Sequence, residues 1–172
     1  PRYLPDLDRA LEWAEQRILA GSAVEAIDLG CFEQMQDYLS AGQLSVLQSY
    51  LEERQVDAGE LLARQGDESD ELFFMETCAG SAYIDTAHGE THRVRQSARG
   101  TIFGELGFYL GIPRTATVRT DGPGTVFVLT REALERLQTE QPEIAAGFHY
   151  YMANLLSERL MFTTRTLRAV LM

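Results

Sequence analysis

The sequence predicts an α+β domain, an antiparallel β-roll of jelly-roll type with helices before and after it. Between residues 54 and 130, short β-prone runs alternate with Gly- and Asp-rich turn signals at regular spacing. Helical apolar spacing precedes that region and returns after Arg131. The 172 residues, 45% of them hydrophobic, supply one core with flanking helices and are too few for two full domains.

Leu7, Leu11, Ile18 and Leu19, with Trp13 and Ala14 between them, stand near helical spacing behind the capping candidate Asp6, so a first helix is expected up to Gly21. A second helical stretch over residues 24–39 leads to the Ser40-Ala41-Gly42 break, and a third covers 44–51. Turn signals at Ala58-Gly59, Gln65-Gly66-Asp67, Ala79-Gly80, His88-Gly89 and Gly122-Pro123-Gly124 then bound strands at residues 54–56, 61–64, 71–76, 81–86, 92–96, 115–120 and 125–130. Phe148, Tyr151, Met152, Leu155 and Leu156 fall at i, i+3, i+4, i+7 and i+8 and mark one face of a long final helix. That apolar face calls for a partner, and a homodimer through the C-terminal helix is expected. The expected segments are thus 1–22, 23–53, the roll at 54–130 and the C-terminal helices at 131–172.

Charge and composition remove several functions. Fifteen basic residues against 26 acidic ones leave a net charge of −11, which repels polyanions and argues against nucleic-acid binding. Every basic residue is Arg, so a P-loop lysine, a Schiff-base lysine and a Ser-Lys pair are all excluded. Cys31 and Cys78 form no CxxC pair, and a reducing, cytoplasmic compartment fits them best. No apolar run reaches the roughly 18 to 20 residues of a membrane span, and no signal peptide opens the chain. The chain starts at Pro1 rather than Met and ends on the apolar stretch of residues 167–171, as expected of a piece of something longer.

The segment richest in chemistry is Phe103-Gly104-Glu105-Leu106-Gly107-Phe108-Tyr109-Leu110-Gly111-Ile112-Pro113-Arg114-Thr115-Ala116-Thr117-Val118. Gly104 and Gly107 permit close backbone approach to a ligand, and residues 106–110 form a short helical turn whose first N–H groups point at an anion. Pro113 stops that turn ahead of Arg114, whose planar fork of donors matches two phosphate oxygens. Glu105 so close to a phosphate makes sense as an acceptor for a sugar hydroxyl. Between Thr91 and Thr120 stand five arginines (93, 95, 99, 114 and 119) against Glu105 alone, a local net of +4. Arg93, Arg95, Arg99 and Arg119 read as outward-facing strand residues.

On these residues the chain resembles the cyclic nucleotide-binding domain family, whose phosphate-binding cassette reads FGE-L-x-L and, after a short spacer, PR-[TSA]-A-[TS]-V. Phe103-Gly104-Glu105-Leu106 and the run from Pro113 to Val118 match both halves at the family's spacing. Ala58-Gly59-Glu60 and the run from Gln65 to Met75 are similar to its strand-turn-strand signature, and the likeness extends from about Phe32 to Leu160. The resemblance implies a non-catalytic sensor of cAMP or cGMP, without a metal. In it Glu105 bonds the ribose 2′-hydroxyl, Arg114 pairs with the cyclic phosphate, and backbone N–H groups at Gly104, Leu106 and Gly107 complete the cradle. Thr115 occupies a position where a hydroxyl contacts a guanine amino group or phosphate in other members, and leaves both nucleotides open. Gly107 and Phe108 depart from the family's commoner Ala and Leu. The resemblance further implies a relay in which Phe108 and Leu110 re-pack against the final helix. Met161, Phe162, Thr163 and Thr164 are the candidates to cover the base.

The run from Leu4 to Glu15 also resembles the helix that closes a STAS domain in bacterial sulfate permease family transporters. This implies an attached anion transporter and a membrane-embedded parent protein. A docking or dimerisation module with a vestigial pocket is the alternative, which the intact Glu105 and Arg114 oppose. A cupin-like metalloenzyme needs several His and a carboxylate on adjacent strands, and the three His here do not supply them. His88 and His92 flank a turn with no third ligand in sight, and the acidic run 67–71 lacks the spacing of a calcium loop. A helix-turn-helix would need more chain after the final helix, so DNA binding is not expected.

Overall fold

The computed structural model describes residues 28–86 and 88–171. The expected helix at 7–19, the start of the one at 24–39, and the STAS-like residues 4–15 lie outside them. Asp28–Tyr150 form one compact unit, and residues from Tyr151 onward belong to a second.

The first unit is an antiparallel roll of two four-stranded sheets, as the turn spacing predicts. One sheet has the order β1-β8-β3-β6 and the other β2-β7-β4-β5. The strands are β1 (Glu52–Val56), β2 (Leu61–Ala63), β3 (Glu71–Met75), β4 (Gly80–Asp85), β5 (Thr91–Ser97), β6 (Thr101–Phe103), β7 (Thr117–Thr120) and β8 (Gly124–Thr130). Short helices α1 (Cys31–Gln34) and α2 (Ala41–Gln48) precede them, α3 (Glu105–Leu110) interrupts them, and α4 (Arg131–Glu140) and α5 (Pro142–Leu171) follow.

β3 shows why one sheet sits at the centre. Leu72, Phe73, Phe74 and Met75 are all fully buried, a continuous apolar run in place of alternation, because both faces of this sheet are covered. Phe73 and Met75 join Val126, Val128 and Phe103 in the interior of the roll. Phe74 points the other way and stacks between Phe32 and Phe148, with ring centroids 6.2 and 6.0 Å apart. The second sheet lends the interior smaller groups, Ala63, Ala82 and Val118. Its outer strand β5 is largely exposed and carries two arginines, which blunts an open sheet edge.

Where one continuous helix was expected up to residue 39, the chain forms α1, a 3₁₀ turn at Met35–Asp37 and then α2. The reason is distant in sequence. The Glu76 carboxylate accepts from the N–H of Cys31 (2.7 Å) and of Phe32 (3.4 Å), so a residue at the end of β3 caps α1 and fixes where it begins. α2 carries its own capping box, Ser40 with Gln43. On α5, Phe148, Tyr151 and Met152 are buried, in keeping with the predicted face. Among the described residues no helix is long and apolar enough to cross a membrane.

Candidate functional site

The site is built where β6 runs into α3. Gly104 between them has φ +92°, and a Cβ there would lie 2.5 Å from Nη1 of Arg114 and 2.9 Å from the Glu71 carbonyl. Only glycine both adopts this backbone and leaves room for the guanidinium. α3 starts at once with Glu105, and its first N–H groups, including those of Leu106 and Gly107, have no partner inside so short a helix. Gly107 is required for another reason. A Cβ on it would sit 2.7 Å from Cβ of Ser69 and 3.0 Å from the Ile112 carbonyl, so Ser69 occupies the space an alanine methyl would take.

Arg114 is pinned before its side chain is considered. Its N–H donates to the Asp67 carbonyl and its own carbonyl accepts from the Gly66 N–H, both at 2.9 Å, which ties the cassette to the turn ahead of β3. The side chain is 6% exposed. Nη1 donates to the Glu71 carbonyl at 2.8 Å, and the guanidinium carbon lies 5.2 Å from the centre of the Phe73 ring. Among the described residues no carboxylate comes within ion-pair distance of it. Burial pulls its pKa below the ordinary guanidinium value, opposed by the fields of Glu71, Asp70, Asp67 and Glu105. A guanidinium remains charged regardless, so the fold holds a buried cation short of a counter-ion.

Glu105 is also buried, at 8% exposure, with its Oε1 4.0 Å from Nη1 of Arg95. A buried carboxylate and a buried guanidinium thus lie ten residues or fewer apart, on the two halves of one loop around a short helix. The open cavity that Arg114 lines, of about 570 Å³, is bordered by Glu68, Asp70, Glu71, Glu132 and Glu135 and repels anions.

The model of the cyclic nucleotide-binding domain matches residues 53–141, which span the roll, the cassette and α4. The chain belongs to this family. The cyclic nucleotide-binding domain of Methylobacillus flagellatus superposes with a TM-score of 0.71 at 22% identity, covering 81% of this chain and 82% of that one. The type II regulatory subunit of cAMP-dependent protein kinase from Drosophila melanogaster is 28% identical over 99 residues, 58% of this chain and 25% of its own. Glutaminase 1 of Bradyrhizobium diazoefficiens is 29% identical over 160 residues, 90% of this chain and 25% of its own. The chain therefore spans about a quarter of the length of these two curated relatives.

Within this cyclic nucleotide-binding domain, Gly104, Glu105, Leu106, Gly107 and Arg114 come together around α3 as the sequence places them. Thr115 is exposed, and no described residue bonds its hydroxyl. Leu110, expected to pack on the final helix, is 65% exposed. The residue that reaches α5 is its neighbour Tyr109, whose hydroxyl lies 3.1 Å from Nδ1 of His149, while Gln138 lies 2.9 Å from the other ring nitrogen. Phe108 is buried beneath the Arg131 guanidinium, 4.6 Å from its ring centre. Met161, Phe162, Thr163 and Thr164 are exposed in the second unit, and both hydroxyls bond carbonyls of their own helix.

Of the four arginines read as outward-facing, Arg93 and Arg119 are exposed and Arg99 pairs with Asp28. Arg95 is the correction. It turns inward, because a bulge in β5 sets Arg93 opposite Tyr83 and Arg95 opposite the buried Ala82, leaving Val94 as the extra residue. Strict alternation along the strand could not have shown this. His88 is exposed in the β4–β5 hairpin, and Nε2 of His92 lies 3.2 Å from Glu90.

Proposed function

We propose that this chain is a non-catalytic cyclic nucleotide sensor in which Arg114 receives the cyclic phosphate and Glu105 accepts a hydrogen bond from the ribose 2′-hydroxyl. The observation that carries the proposal is the buried Arg114 guanidinium, held by two backbone carbonyls and lacking a carboxylate partner among the described residues. A phosphate oxygen pair supplies the missing charge in the geometry a guanidinium prefers. The N–H groups of Leu106 and Gly107, with the backbone at Gly104, complete the cradle. Thr115 stands open toward base or phosphate. cAMP is the first ligand to test, supported by the likeness to the regulatory subunit of cAMP-dependent protein kinase. cGMP is the second.

Binding is relayed as a population shift. Phosphate capture draws α3 toward Arg114, and Tyr109 carries the movement to His149 on α5. Further along α5, Leu160 and Leu167 are two turns apart and exposed, which supports a homodimer through this helix. Cys31 and Cys78 are both buried and form no disulfide, which supports a reducing, cytoplasmic setting.

For the attached protein, the STAS-like run near the start supports an anion transporter embedded in a membrane. A second reading, a glutaminase, rests on the Bradyrhizobium enzyme matching 90% of this chain where the kinase subunit matches 58%. Sequencing the parent reading frame upstream of Pro1 separates them, since a transporter requires many apolar spans there and a glutaminase none.

Calorimetric titration of the chain with cAMP and with cGMP tests the sensor itself. Saturable one-to-one binding of either is the expected result. Absence of heat and of thermal stabilisation with both would leave the docking module with a vestigial pocket.

A further inference from the structure

We infer that Arg95 is a positioning residue for Glu105, so that recognition of the ribose depends on a bulge in β5 as well as on the cassette. The inference rests on the nucleotide reading above and adds a residue to it. Described residues on β5 and β6 hold Arg95 through three contacts. Its Nε donates to Oγ of Ser97 at 2.8 Å, its Nη2 donates to Oγ1 of Thr101 at 3.0 Å, and its guanidinium carbon lies 5.2 Å from the centre of the Phe103 ring. Thr101 and Phe103 both belong to β6, the strand that leads directly into Gly104 and Glu105. Arg95 therefore braces the strand that delivers the carboxylate and faces the carboxylate itself, with Nη1 4.0 Å from Oε1.

At that separation the pair attracts across a gap too long for a direct hydrogen bond, and the guanidinium orients the carboxylate. Both side chains are mostly shielded, 29% and 10% exposed, so the attraction is screened less than on an open surface. A sugar hydroxyl donating to Glu105 meets an acceptor already turned, which lowers the cost of ordering it on binding. The bulge at Val94 is what makes this possible, since regular pairing would send Arg95 outward with Arg93.

The test compares wild type with Arg95→Gln and Arg95→Lys by calorimetry, using cAMP and 2′-deoxy-cAMP, with thermal unfolding run alongside. Arg95→Gln is expected to weaken cAMP about 5- to 30-fold and to change 2′-deoxy-cAMP less than about 2-fold, as loss of one charge-assisted contact predicts. Arg95→Lys, which keeps the charge, is expected to recover most of the loss. Equal weakening of both ligands in Arg95→Gln would overturn the inference and assign Arg95 a general electrostatic or structural part. Unchanged binding of both would overturn it as well. If wild type bound neither nucleotide, the sensor reading itself would fall, and the inference with it.

Discussion

Replacing Arg114 with Met separates stability from function. In the ligand-free protein the guanidinium is nearly buried without a carboxylate in contact, and removing a charge from water costs several kcal/mol even after relaxation, about 3 to 5 here. Against that stand one good charge-assisted bond to the Glu71 carbonyl, about 1.5 to 3 kcal/mol, and the Phe73 ring contact, about 1 kcal/mol. The two sides nearly cancel, and methionine fills the space with a flexible apolar chain. Arg114→Met is therefore expected to change ligand-free stability by no more than about 1 kcal/mol. Binding should suffer far more, because a partly buried phosphate loses its charge partner, at about 2 to 5 kcal/mol, or roughly 30- to 5,000-fold. Urea unfolding with and without cAMP reads both quantities at once. At a concentration 100 times the wild-type Kd, ligand adds about 2.7 kcal/mol to wild type and less than about 1 kcal/mol to the variant. A variant that is more than about 3 kcal/mol less stable yet keeps the full ligand increment would show Arg114 to be a structural strut, contrary to the reasoning above.

Three further outcomes follow from the geometry. Gly107→Ala should cost about 1 to 3 kcal/mol by crowding Ser69, and in a Ser69→Gly background the same change should cost less than half as much, a coupling that a double-mutant cycle of unfolding energies measures. Glu76 has its pKa raised, first by desolvation, so the folded state takes up its proton before the unfolded one and stability falls as pH rises from about 4.5 through the folded-state value. Glu76→Gln keeps an acceptor for Cys31 and Phe32 and should flatten that part of the urea-unfolding profile, while Glu76→Ala should lose about 1 to 3 kcal/mol at neutral pH. His149 has its pKa lowered by burial, so its contribution is present above about pH 6.5 and lost as pH falls toward the folded-state value. Substituting Gln for His149 should reduce the slope of stability between pH 7 and 5, and an unchanged slope would contradict the burial of a neutral imidazole against Tyr109.

Much of the roll was legible because turns are local. All seven strands expected from the Gly and Asp punctuation are present within a residue or two of their bounds. The eighth, β6, is not legible in the sequence, because three consecutive buried residues, Thr101, Ile102 and Phe103, are too short to display a period and lie against the cassette motif. The sequence points to Phe108 and Leu110 rather than Tyr109, because helical spacing says which residues share a face, but the phase of α3 is set by the left-handed Gly104 and Gly111 at its ends. The motif marks Gly107 as permissive for ligand approach, but the structure shows that a side chain there would collide with Ser69, thirty-eight positions earlier and nowhere signalled in the motif.

The sequence by itself determined the roll, the cassette and the placing of one carboxylate and one guanidinium on the two halves of one loop, because glycine, proline and alternating side chains act on their immediate neighbours. Tertiary structure alone decided that Arg114 is a buried cation without a contacting carboxylate, that Arg95 turns inward and that Tyr109 meets His149. Burial and charge pairing arise between strands and helices distant in the chain, and one extra residue in β5 reverses the side on which an arginine lies.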